Sequence, residues 1–427
     1  MKLSSLIGHV TEVYDETLSS RKPADHLIDM FFRKRKYLGS HDRRFIAETL
    51  YSALRHRRRI EWIISTISTT QNKTLLVIVS GLLLEKKYSK QQLSDEQILS
   101  SELLQRLDDA SNILPKEENP IANLAIRFSF QDWMIQAWTS QFGIPETERL
   151  CTVLNTQASI TLRVNILKAT VEECQHALRS EGIESTRTEF SPFGLHIPKR
   201  INVFQLETFR KGFFEVQDEG SQMLALIVNP KPRTKVIDAC AGSGGKTLAM
   251  AALMKNRGEI FSLDIHDFRL EELHKRVKRA GVDTVRLKTA REDESPPDLH
   301  DSADYVLVDA PCSGTGTIRR NPGMKWSVTE AMIEELQTKQ GKILSNYSQC
   351  VKRNGTIVYA TCSLMKEENE MVVESFLASH SEFTLLEPKE ILSRFHLESL
   401  ANKRYFQLLP HQHGTDGFFA AVMKRVH

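Results

Sequence analysis

Apolar residues recur at helical spacing through residues 6–18, 26–37, 42–60 and 75–84, so the first ~115 residues are expected to be all-helical. Ser40 and His41-Asp42 offer an N-cap just before Arg43-Arg44-Phe45-Ile46. Helix breakers are sparse here: Gly8, Gly39, Gly81 and Pro23 are the ones before Pro115. The polar stretch 107–120, closed by Pro115 and Pro120, reads as a domain linker. Helical spacing resumes at Ile121, with Trp133, Trp138 and Phe142 at positions that suit a core.

The pattern changes at 158. Residues 158–165 alternate like a strand, 171–181 read as a helix, and short strands follow near 186–190 and 195–197. Such a unit suits a small α+β domain. Residues 212–222 then read as a strand leading into a helix. From Thr234 onward strands and helices alternate, with strands at 236–238, 260–264, 285–288, 305–309 and 356–360, and helices at 246–255, 268–280, 329–351 and 366–379. That order implies a mainly parallel, doubly wound α/β sheet with its ligand site at the C-terminal ends of the strands. The expected division is a helical domain over 1–115, a helical plus α+β domain over 121–225, and an α/β domain over 226–427.

One turn in the α/β region carries a candidate site. Strand 235–238 runs into Cys240-Ala241-Gly242-Ser243-Gly244-Gly245-Lys246, and a helical pattern starts at Thr247. Glycines let a ligand approach the backbone, and the helix start offers free N–H groups. Gly245-Lys246-Thr247 meet the end of a Walker A pattern, but Cys240 stands where its first glycine belongs. The competing expectation is the first loop of an S-adenosylmethionine (SAM) methyltransferase, which asks for an acidic residue ~20 positions on to hold the ribose. Asp264, closing strand 258–263, answers it. A glycine turn without a ligand is the third possibility.

Composition narrows the class. Apolar residues at 41% and charged residues at 26% are ordinary for a globular chain. No apolar run reaches the ~18 residues of a membrane span, and the N-terminus does not read as a signal peptide. Six scattered cysteines without a CxxC pair argue against structural zinc and against a disulfide framework, and for a reducing cytoplasmic setting. Net charge is +3, but residues 1–73 hold 14 Lys and Arg against 8 Asp and Glu. The excess sits largely in Arg33–Lys36 and in Arg55 with Arg57–Arg59, which read either as solvated helix faces or as a nucleic-acid footprint.

Two cysteines stand just past strand ends. Strand 305–308 runs into Asp309-Ala310-Pro311-Cys312-Ser313, and strand 356–360 into Thr361-Cys362-Ser363. Cys151, Cys174 and Cys350 read as small buried hydrophobes. Cys312 and Cys362 lie among small polar residues, where loop N–H groups or cations lower a thiol pKa. Two thiols and a carboxylate beside a SAM-type loop imply covalent catalysis on an unreactive ring.

DACAGSGGKT, DAPCSGTGTIRRNPGMKW, YATCS and the terminal DGFFAA together resemble the RsmB/Sun/NOP family of RNA 5-methylcytosine methyltransferases, as do VQDEGSQ and LRVN at 162–165. The resemblance is strong over 158–427. Over 1–115 it is looser, where SHDRRFIAETLYSALR is similar to the NusB-type RNA-binding module of the bacterial RsmB branch. It implies a Rossmann-like methyltransferase domain preceded by a small α+β domain and a NusB-like helical domain, with SAM as cofactor, no metal, RNA as partner and a monomeric chain. The implied substrate is cytosine C5 of RNA, above all 16S rRNA. The alternatives are a tRNA or large-subunit rRNA target, or a non-catalytic ribosome assembly factor.

By the same resemblance Cys362 is the nucleophile, Cys312 assists release of the adduct, and Asp309 holds the cytosine N3/N4 edge. Lys246 favours the Cys362 thiolate, Cys240–Lys246 line the methionine end of SAM with Asp309 close by, and Asp264 takes the ribose. Three positions depart from the family pattern. Ala290 replaces the Asp that reaches the adenine, leaving that contact to Arg291 or a shifted acid in Glu292-Asp293; Ser243 replaces a proline; and Gly323 replaces an Asp near Arg319-Arg320.

Overall fold

The computed structural model describes the whole chain except residues 21, 68, 70, 292, 293 and 401–403. The chain forms two compact units, residues 1–157 with 318–329, and 158–317 with 330–427.

The first unit is helical. Its first five helices span Leu3–Ser19, Ala24–Lys34, Ser40–Arg55, Arg57–Ser65 and Lys73–Leu84, and among the described residues five more continue to Leu154. Val10, Val13, Ile46, Leu50, Ile60, Ile78 and Leu104 form its core, so the helical periodicity of the sequence marks the faces that pack. The apolar pattern over 42–60 is two helices, broken at His56 (φ −110°, ψ 14°). The second helix start is satisfied by a distant residue: the Arg58 N–H donates to Ser129 Oγ at 2.8 Å, which caps the helix from outside. Residues 318–329 belong to this unit, and the short helix Met324–Ser327 buries Lys325 completely.

The second unit holds two sheets. The smaller is antiparallel, with β1 (Ile160–Val164), β2 (Thr186–Arg187), β3 (Gly194–Ile197) and β4 (Phe214–Val216) in the order β2-β3-β1-β4. The larger contains β5 (Thr234–Asp238), β6 (Gly258–Asp264), β7 (Val285–Thr289), β8 (Ala303–Asp309), β9 (Val351–Thr361), β10 (Phe383–Leu386), β11 (Phe406–Leu408) and β12 (Phe418–Arg425). Its order is β10-β12-β9-β8-β5-β6-β7, with β11 beside β12. The strands β5 to β9 are parallel, and Val236 stands opposite Tyr305, so the glycine loop and the Asp309 loop leave adjacent strands of one sheet. The antiparallel edge β12-β10 has no counterpart in the expected strand list; β12 pairs with β9 from Phe419 opposite Thr361 to Lys424 opposite Thr356.

Candidate active site

A cavity of about 600 Å³ opens at the C-terminal ends of β5, β6 and β8, a size that suits a nucleoside-type ligand. Cys240, Ala241, Gly242, Ser243, Gly245, Lys246, Asp264, Asp309, Cys312 and Cys362 all line it, so every expected site residue but Gly244 meets there. Gly244 shapes the turn from behind. Its φ is +81°, and a Cβ would stand 1.9 Å from Leu273 Cδ1.

Gly242 shows that the loop fits a cofactor: its φ is +54°, and nothing lies within 4 Å of where a Cβ would project. Its N–H donates to Asp264 Oδ2 at 3.0 Å, while Oδ1 accepts from the His266 N–H at 2.9 Å. Each oxygen keeps a lone pair for a hydroxyl, which suits a ribose. Thr247, the residue a Walker loop would turn to magnesium, is fully buried and donates to Asp238 Oδ2 at 2.6 Å. Lys246 is likewise committed, with Nζ 2.5 Å from Asp309 Oδ2. These two bonds remove the phosphate-binding reading.

The loop is braced by side chains from other elements, two of which, Gln217 and Arg276, also line the cavity. Arg163, buried in the LRVN segment on β1, donates to the Gly245 carbonyl and to Gln217 Oε1. Arg276 donates to the Ser243 carbonyl at 2.6 Å and is itself held by Glu215, which also takes Arg279. None of these side chains was expected at the site by role, although LRVN and VQDEGSQ contain two of them. The remaining wall comes from Lys339, Ile343 and Tyr347 of the helix Glu330–Ser348 and from Phe418 of β12. Ala290 and Arg291 also line the cavity; Ala290 donates its N–H to the Asp264 carbonyl at 3.0 Å, Arg291 bonds Glu294 at 3.3 Å, and Glu292 and Asp293 lie outside the described residues.

The two thiols are side by side: Cys312 Sγ and Cys362 Sγ are 3.4 Å apart. The neighbouring Cys362 sulfur and burial push the Cys312 thiol well up, so Cys312 stays protonated at neutral pH. Burial opposes the Lys246 ammonium, but the Asp309 carboxylate more than offsets it and holds its pKa above the ordinary value. Cys240 is pushed up by burial, which leaves it inert. Among the described residues no cluster of three His, Cys, Asp or Glu could hold a metal, and no helix is long and apolar enough to cross a membrane.

Residues 225–424 match the model of the 16S rRNA methyltransferase RsmB/F family, and 130–204 match the ferredoxin-like domain of RsmF/B-like methyltransferases. A probable ribosomal RNA small subunit methyltransferase B of Synechocystis is 32% identical over 94% of this chain and 95% of its own. The chain belongs to the RsmB/F methyltransferase family. A probable small subunit methyltransferase B of Bacillus subtilis is 33% identical, covering 72% of this chain and 69% of its own. The crystal structure of PH0851 superposes with a TM-score of 0.80 at 28% identity, covering 100% of this chain and 99% of that one. A methyltransferase homologue from Pyrococcus horikoshii gives 0.60 at 26%, over 72% of this chain and 100% of its own. The family is one of SAM-dependent rRNA methyltransferases.

The second basic cluster is structural in the main. Arg59 is 5% exposed, donates to the Ser111 and Ile113 carbonyls and lies over the Trp62 ring. Arg58 binds the Phe130 carbonyl and Asp132, and Arg55 binds the Arg319 carbonyl. Arg57 is shared between Glu61 and the Trp326 ring. In the first cluster Arg33, Lys34 and Lys36 are exposed, Arg33 pairing with Asp29 at 2.7 Å on the same helix, and Arg35 is tied to Glu12 and the Phe31 ring.

Proposed function

We propose that this chain methylates C5 of a cytosine in small-subunit rRNA through a covalent bond between Cys362 Sγ and cytosine C6. The observation that carries the proposal is the pair of sulfurs 3.4 Å apart on the wall of a cavity that also holds the Lys246–Asp309 pair. A cytosine C5 is too poor a nucleophile to take a methyl group unaided. Addition of the Cys362 thiolate at C6 forms the S–C6 bond and moves the ring electrons toward C5, which becomes enamine-like. When bound, SAM supplies an electrophilic methyl group. Asp309 holds the N3/N4 edge so that the ring accepts the added charge, and Lys246 orients Asp309 and favours the thiolate. Loss of the C5 proton to a solvent base then re-forms the C5–C6 double bond as the S–C6 bond breaks and returns the Cys362 thiolate, and Cys312, kept as a thiol 3.4 Å away, assists this release by donating toward the leaving sulfur. Cys240 to Lys246 take the methionine end of SAM and Asp264 the ribose. We further infer a cytoplasmic, monomeric enzyme, with the helical unit contributing RNA contacts through Arg33, Lys34 and Lys36; the relatives' names point to small-subunit rRNA as the target.

The cysteines have opposite failure modes, which makes the test sharp. With labelled SAM and small-subunit rRNA, Cys362→Ala should give neither adduct nor product while still binding SAM. Cys312→Ala should accumulate protein bonded to methylated RNA, seen as a retarded band in denaturing gels. Were the thiols core packing only, both variants would lose ~1 kcal/mol of stability with no covalent species in either. Bisulfite mapping of rRNA from cells lacking the protein identifies the cytosine.

A further inference from the structure

Cys312 and Cys362 sit on separate loops, fifty positions apart in sequence, yet their sulfurs must stay within a fraction of an ångström of one arrangement to act on the same ring. One buried carboxylate touches both loops. Glu368, 0% exposed, lies in a turn just before the helix Glu370–Ser379. Its Oε1 accepts from the Ser313 N–H at 2.7 Å and from Gln340 Nε2 at 3.0 Å. Its Oε2 accepts from Ser313 Oγ at 2.5 Å and from Ser363 Oγ. Ser313 follows Cys312 and Ser363 follows Cys362, so one side chain grips the residue next to each thiol.

The surroundings extend the grip. Asn369 accepts from Thr361 Oγ1 and donates to the Ser363 carbonyl at 3.0 Å, which ties down the residues on both sides of Cys362. The Tyr359 hydroxyl donates to the Glu368 carbonyl at 2.6 Å. The Gly316 N–H donates to the Cys362 carbonyl at 2.9 Å, and a Cβ on Gly316 would lie 2.8 Å from that oxygen. After the Cys362 sulfur and burial, the Glu368 charge also helps to keep Cys312 protonated. A buried carboxylate with this many partners on two functional loops is more than a core polar group needs for satisfaction alone.

We propose that Glu368 is a positioning residue for both thiols, holding the Cys312 and Cys362 sulfurs in register by binding Ser313 and Ser363 at once. The inference rests on the two-thiol reading above. It is tested in the full-length protein by single-turnover methyl transfer to a small-subunit rRNA transcript, with the rate expressed per SAM-binding molecule. A merely structural role would lower the number of SAM-binding molecules and leave that rate alone. Glu368→Ala should bind SAM within about twofold of the parent and transfer methyl roughly 100-fold more slowly, the loss that follows a misplacement of about 1 Å. Glu368→Gln, which keeps acceptor and shape, should recover to within about tenfold. A Glu368→Ala rate within about threefold of the parent overturns the inference. If that variant does not fold, the double variant Ser313→Ala/Ser363→Ala decides: slowing of about tenfold or more supports the clamp, and a smaller change overturns it. The prior reading fails differently. If Cys362→Ala still methylates and Cys312→Ala traps nothing, the covalent chemistry is gone and this inference with it, whereas a fast Glu368→Ala removes the inference alone.

Discussion

Asp238 closes β5 directly beneath the glycine loop, is 1% exposed, and is pushed by burial from its ordinary 3.8 up to about 7. Its Oδ2 accepts from Thr247, and its Oδ1 has no hydrogen-bond partner among the described residues. The folded state therefore keeps a proton that the unfolded chain has already lost between pH 3.8 and 7. Where the folded state binds more protons, stability falls as pH rises. Each pH unit in that window costs ~1.4 kcal/mol, so the full penalty above pH 7 is about 4 kcal/mol. Asp238→Asn removes the titration and keeps an acceptor for Thr247. Between pH 5 and pH 8 the parent should lose about 2.5 kcal/mol relative to the variant. Urea titrations of both proteins at four pH values measure this, because stability changes from other groups, such as His56 and His413 whose pKa values burial lowers, are common to both. Parallel pH profiles would refute the argument and would mean that the buried carboxyl is ionised in both windows.

Asp309→Asn leaves Lys246 buried without its partner; the lysine pKa should fall below its ordinary value, and methyl transfer should drop ~100-fold or more with SAM affinity changed far less, read by single-turnover kinetics beside calorimetry. RNA affinity should fall with salt, and Lys34→Gln/Lys36→Gln should flatten the slope by about 2 while Arg59→Gln changes stability rather than slope, as filter binding across ionic strength will show. Lys325 donates to the Arg55 and Ser129 carbonyls at 2.9 and 3.0 Å and lies over the Phe130 ring, so Lys325→Met should destabilise the helical unit by about 3 kcal/mol in thermal melts.

The parallel strands were legible because strands buried on both faces print as apolar runs between turns, and Val236–Asp238, Ile260–Asp264 and Tyr305–Asp309 all do so. The edge strand β12 was not. Its sequence FFAAVMKR reads equally as a buried helix segment, and only its pairing with β9 makes it a strand. Charge clusters carry the same ambiguity. Arg33-Lys34-Arg35-Lys36 and Arg57-Arg58-Arg59 look alike as text, but Arg59 is swallowed by carbonyls at 111 and 113, more than fifty positions away. The site shows the same split. The proposed catalytic residues Asp309, Cys312 and Cys362 are legible from their place at or just after strand ends. Those that hold the site through long-range bonds do not show their role locally: Arg163 stands in a recognisable segment that says nothing of its partner, and Arg276 and Glu368 leave no mark at all.

The same distinction explains how the loop tolerates its departures from the family pattern. A proline at 243 would stiffen the turn by narrowing the unfolded ensemble. Ser243 gives up that constraint, but its carbonyl is gripped by Arg276, whose guanidinium is fixed in turn by Glu215 on β4. Arg163 grips the next carbonyl but one, that of Gly245, from the neighbouring strand β1. The small antiparallel sheet thus supplies, through buried Arg163 and through Glu215, which holds the half-buried Arg276 of the helix Asp267–Ala280, the rigidity that the turn lacks in its own sequence. Charge-assisted bonds to carbonyls are worth roughly 1.5–3 kcal/mol each, against the ~1 kcal/mol or less of a loop proline, so the exchange favours a turn held from outside. A loop held in this way is also coupled to the sheet that holds it, which makes β1 and β4 part of the proposed cofactor site in physical terms even though neither strand carries a residue with an expected chemical role.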